Sequence, residues 1–176
     1  VNERLAGAGR SGWEQSDQSL ALVTPIEAMC RIFDDDNAES YAKDFPVMNV
    51  SVSGVRTDNR AIFELGRNLG INLTQGISLH SQGLTVKNEK LKPGDSLSVL
   101  VVWGDIEISA FGTVTATAKD GRFLAFGHEF MKRGNVAYPS ARVFVHDTVN
   151  SSEFPFKLAS PESINRSEEH TSELQS

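Results

Sequence analysis

His128 stands directly behind Gly127 and the apolar run Phe-Leu-Ala-Phe at positions 123–126. A strand that ends in glycine presents the next side chain instead of packing it, so this imidazole is the titratable group best placed for proton transfer. A general base also needs a nucleophile within hydrogen-bond reach and a third group to orient its ring. The chain holds many serines but no local motif marks one, and a lone histidine is otherwise a hydrogen-bonded structural residue. His80 falls in a polar loop, and His146-Asp147 follows a predicted strand. Neither has metal-ligand spacing with the other or with His128. The single cysteine, Cys30, can form no disulfide within the chain and supplies no thiolate cluster for a structural metal. The acidic run at Asp34, Asp35 and Asp36 lacks the glycine-turned loop and distal Glu of a calcium loop, and reads as a solvated linker. No phosphate loop, dinucleotide fingerprint or zinc motif occurs. The residues therefore point to no cofactor and no metal, and by themselves define no reaction.

Charge excludes one class of partner. Seventeen basic against 23 acidic residues give a net charge of -6, without a Lys/Arg-rich patch. Such a chain repels phosphate backbones, so nucleic acid is not an expected partner. The longest apolar runs, such as residues 97–103, fall far short of the ~20 residues that span a bilayer. Compartment and oligomeric state stay open.

Three kinds of element must position these residues. Residues 1–23 mix short apolar stretches with Gly7, Gly9 and Gly12, which suits a strand pair with tight turns. Thr24-Pro25-Ile26-Glu27 supplies an N-cap hydroxyl, a proline at the first helical position and a carboxylate in the first turn. It predicts a helix through Phe33, with Ile26, Met29, Ile32 and Phe33 on one face. Alternation over residues 47–52 predicts a strand. Thr57 or Asp58 is the expected cap of a second helix over 59–69, whose Ile62, Phe63, Leu65 and Leu69 form a buried stripe and which Gly70 stops. Residues 72–89 read as loop or weak strand. Lys92-Pro93-Gly94-Asp95 is a turn by its chemistry. After it, β-branched and aromatic residues fill 97–103 and 106–118, a hairpin around Gly104-Asp105. Lys119-Asp120-Gly121 turns into a third strand over 122–126, and residues 143–145 predict a fourth. The fold class is mainly β with two short helices, its second half an antiparallel β module.

Three blocks carry a resemblance. Thr24-Pro-Ile-Glu-Ala-Met29, Gly112-Thr-Val-Thr-Ala-Thr-Ala-Lys-Asp-Gly-Arg-Phe-Leu-Ala-Phe-Gly-His128 and Phe156-Lys-Leu-Ala-Ser-Pro161 resemble the SpoIVB-type serine peptidase domain family of bacteria, in the block order of its non-sporulation members. The resemblance implies a fold related to a serine-peptidase-like barrel and makes His128 the general base. It also implies that the nucleophile lies in a Gly-Met-Ser-Gly-Ser-Pro motif followed by a short strand. Val1-Asn-Glu-Arg-Leu-Ala-Gly-Ala8 resembles the end of that strand, so the serine is expected upstream of Val1. The implied reaction is acyl transfer: serine attacks a peptide carbonyl, histidine takes its proton, and backbone amides stabilise the oxyanion. This order of serine and histidine is the reverse of the sporulation enzyme's, no residue here matches that enzyme's aspartate, and Glu129-Phe-Met-Lys-Arg-Gly134 lacks its acidic residues after the histidine.

The expected division is residues 1–45 as the remnant of a subdomain carrying the nucleophile and 46–165 as a β-rich second module with the Gly-His block. Residues 166–176 resemble an in-frame translation of a sequencing adapter; leaving them out removes one Arg and three Glu and brings the charge to -4. On this reading the chain is a fragment of a serine endopeptidase that is inactive without its nucleophile, and its partner is a polypeptide substrate or a neighbouring domain of the parent. The alternative is a non-catalytic β-rich binding or structural module of a bacterial envelope protein, which captures an extended segment at an exposed strand edge.

Overall fold

A computed structural model describes residues 4–12, 20–34, 48–56, 58–77, 84–87, 89–128, 130, 137–150 and 156–165. The chain is mainly β with two helices. Strands β1 (Gly7–Gly12) and β2 (Ala21–Pro25) form an antiparallel pair that leads into helix α1 (Ile26–Asp34). Strand β3 (Met48–Ser53), helix α2 (Arg60–Asn68) and β4 (Ile71–Gln75) follow, and then β5 (Thr85–Lys87). The longest strands come last: β6 (Ser96–Val102), β7 (Glu107–Thr117), short β8 (Phe123–Ala125), β9 (Ser140–Val149) and β10 (Phe156–Asn165). In space the order is β4-β3-β7-β6-β9-β10-β5, with β8 paired to β7. The path runs between two ends, so among the described strands the sheet is open.

The predicted hairpin is β6–β7, and β8 is the predicted third strand. The turn between β7 and β8 uses its sequence as expected: Gly121 takes φ 101°, and Asp120 accepts the Arg122 backbone N–H at 3.0 Å. Gly94, at φ 93°, turns the chain into β6, where its N–H bonds the Val114 carbonyl at 2.8 Å.

Three features depart from expectation. Two strand pairs are parallel, β3 with β4 and β10 with β5. The first arises because α2 carries the chain back to the starting edge, as a parallel connection requires. Residues 72–89, expected as loop or weak strand, take the second form and supply most of β4 and all of β5. The α2 stripe is buried only in part: Ile62 and Phe63 are half-buried, but Leu65 and Leu69 are 57 % and 54 % exposed. The helix instead lies on β4 through Gly66, where an added Cβ would come within 2.6 Å of Leu73 Cγ, and this rotates the two leucines outward. Finally, Asn59 is the α2 N-cap, without a side-chain cap bond. Asp58 is instead held by Arg56, whose Nε and Nη2 donate at 3.0 and 2.8 Å; Thr57 lies outside the described residues.

The main core lies on one face of the central strands, where Val50, Leu97, Val99, Ala110 and Val114 are almost fully buried. Period-two alternation puts them together: Leu97 pairs with Gly112 and Val99 with Ala110. The opposite face is buried but polar, with Ser53, Ser98, Glu107 and Ser109 all under a tenth exposed. A second cluster joins Met29 and Ile32 of α1 to Leu124 of β8, fastening the N-terminal unit to the end of β7–β8.

Candidate functional site

Phe126, Gly127 and His128 leave β8 in a turn whose backbone is held from three sides. Phe126 has φ 62°, and it is the one non-glycine with positive φ among the described residues. A bulky side chain in the left-handed region is an outlier and costs on the order of 1–3 kcal/mol. Its ring repays part of that cost by lying over Gly112 of β7, where an added Cβ would be 2.5 Å from Cε1. Gly127 is needed for space: a Cβ there would collide with the backbone carbonyls of Ala8 and Gly9 in β1. The third hold is the Thr24 hydroxyl in β2, which donates to the Gly127 carbonyl. The hydroxyl expected to cap α1 thus gives its proton to this turn.

His128 is half-buried, with its ring centroid 5.9 Å from that of Phe126. Phe126 in turn meets Phe130 at 6.0 Å, and Phe130 meets Tyr138 edge-on at 5.7 Å. The imidazole therefore ends a run of aromatic rings over the main core, on a backbone locked to β1, β2 and β7.

The other candidates lie elsewhere. His80 falls outside the described residues. His146 sits on β9, where Asp147 pairs with Leu158 and Val145 with Ala159, which makes His146 the extra residue of a bulge. Bulges re-aim side chains, and here Nε2 comes within 3.0 Å of Ser160 Oγ while the ring meets Phe144 at 4.9 Å. Ser160 is only 2 % exposed, so this histidine–serine pair ties two strands together and does not offer a hydroxyl to a substrate. Sequence reasoning missed the pair because nothing local announces the bulge. Asp34 is the last residue of α1; Asp35 and Asp36 lie outside the described residues. Cys30 is half-buried on α1 beside the small cluster. Among the described residues no three His, Cys, Asp or Glu side chains gather as a metal site would require.

Charged side chains form one network of note. Arg142 of β9 donates from Nη1 to Glu89 and from Nη2 to Asp95, both at 2.7 Å. The Arg142 guanidinium holds the Glu89 carboxyl below the usual carboxylate range, and Glu89 raises Arg142 in return. Asp95 also accepts the Lys92 backbone N–H at 2.9 Å, so this network braces the turn before β6.

No family model, no curated protein and no solved structure matches this chain.

Proposed function

We propose that the chain is part of a SpoIVB-type serine peptidase-like protein in which His128 is the general base and a serine upstream of Val1 the nucleophile. One observation carries this reading: Gly127, next to His128, lies against the backbone of Ala8 and Gly9. The resemblance makes that strand the continuation of the nucleophile motif. The approach of β1 to the Gly-His turn supports this reading even with an order of serine and histidine opposite to the sporulation enzyme's. A strained residue two positions before the base, Phe126, is a further support, because strained backbone clusters where geometry must be exact for chemistry. The substrate is a polypeptide, and the step is acyl transfer with His128 taking the serine proton.

The test is cleavage by the longer protein that includes the expected Gly-Met-Ser-Gly-Ser-Pro motif. A fluorophosphonate should label its serine, and His128→Ala should abolish both labelling and peptide cleavage. Cleavage that survives His128→Ala removes the residue from the mechanism.

A second reading has its own observation. Among the described strands β4 and β5 end the sheet order, each with one paired neighbour, and such edges suit an extended segment of a polypeptide or neighbouring domain. On that reading the module binds without cutting, and His128 is structural.

A further inference from the structure

Lys157, at the start of β10, is half-buried, and its amine reaches back to two hydroxyls. Nζ lies 2.8 Å from Thr113 Oγ1 and 3.3 Å from Ser96 Oγ, which face each other as a β6–β7 pair. No carboxylate among the described residues pairs with Lys157. Burial holds its ammonium below the usual lysine range. Arg142, a cation of β9 near the start of β6, differs sharply because Glu89 and Asp95 both bind it.

Hydroxyl oxygens offer lone pairs but no countercharge, and a cation drawn partly out of water remains costly without one. The donor inventory shows what is lacking. An ammonium only donates, so Thr113 and Ser96 act as acceptors toward Nζ and each keeps its own O–H proton to give. With the remaining N–H of Lys157, three donors surround a positive charge that no carboxylate among the described residues compensates. Thr113 is exposed, which leaves the cluster open to solvent. Such a set complements an oxyanion, whose several lone pairs and negative charge supply what the hydroxyls cannot. We infer that Lys157, Thr113 and Ser96 form a binding site for a small oxyanion, a carboxylate or a phosphate. The site is independent of His128 and of any peptidase activity.

The experiment is thermal unfolding of the full chain in rising inorganic phosphate or acetate, with ionic strength held constant by chloride. The expected result is a saturable rise in Tm with at least one anion. In Lys157→Met the apparent affinity should weaken at least about tenfold, the size of one lost charged hydrogen bond, and Lys157→Arg should retain binding. A response to phosphate alone assigns a phosphoryl ligand. A response to acetate, and to a short peptide with a free but not an amidated C-terminus, assigns a carboxylate. The proposal is overturned if neither anion gives a saturable response, or if Lys157→Met responds as the parent does. Should Lys157→Met fail to fold, Thr113→Val on the exposed side decides: an unchanged saturation midpoint overturns the site.

Discussion

The hydroxyl of Thr24 donates to the carbonyl of Gly127 across 103 positions of sequence, and this bond joins the N-terminal hairpin to the turn that presents His128. With Gly127 pressed against Ala8 and Gly9, it makes the position of the imidazole a property of two distant segments.

Thr24→Val should test that bond. Its loss leaves a partly buried carbonyl without its donor, which costs roughly 1–3 kcal/mol, read as a lower urea midpoint with an unchanged slope. An unchanged midpoint would mean that the bond contributes nothing.

Gly127→Ala places a methyl against the β1 carbonyls, so backbone must move. Overpacking of this kind costs about 1–3 kcal/mol or more. Hydrogen exchange should show β1 amides opening faster while β6 and β7 keep their protection. Uniform loss of protection would place the clash in the main core instead.

Leu65→Ser and Leu69→Ser separate the helical stripe expected from sequence from the packing observed. Because both leucines are more than half exposed, each change should alter stability by no more than about 0.5 kcal/mol. Leu97→Ala, in the main core, should cost about 2–5 kcal/mol. A large loss at Leu65 would show the helix rotated from its described position.

Acid should weaken the Arg142 bridge. Glu89 has its folded-state pKa below the ordinary value of 4.5. Its stabilising contribution is therefore present above that value and disappears as pH falls through the lower, folded one. The Tm difference between the parent and Arg142→Met should shrink from pH 7 toward pH 3. Glu89 is exposed and solvent screens the pair, so the effect is small; a constant difference across that range would remove the bridge from the account.

Local chemistry accounts for what was legible in the sequence. The Pro93-Gly94 and Asp120-Gly121 turns are dictated by backbone freedom at single residues, and the β6–β7–β8 meander follows from apolar runs between such turns. Helix α1 was announced by Pro25 and by the spacing of Ile26, Met29, Ile32 and Phe33. His128 could be singled out because a glycine and a strand end precede it. These signals all act over a few neighbouring positions, where steric limits and periodicity suffice.

Tertiary structure alone decided the rest. Gly66 against Leu73 turned the α2 leucines outward, a choice invisible in helical periodicity because it depends on which strand the helix meets. The bulge at His146 depended on the register between β9 and β10, and the left-handed Phe126 on a glycine in β7 with room for its ring. The residues around His128 and Lys157 come from strands far apart in the chain. No local rule relates Thr24 to Gly127 or Lys157 to Thr113, because such contacts exist only after the whole sheet has formed and the order of its strands is set.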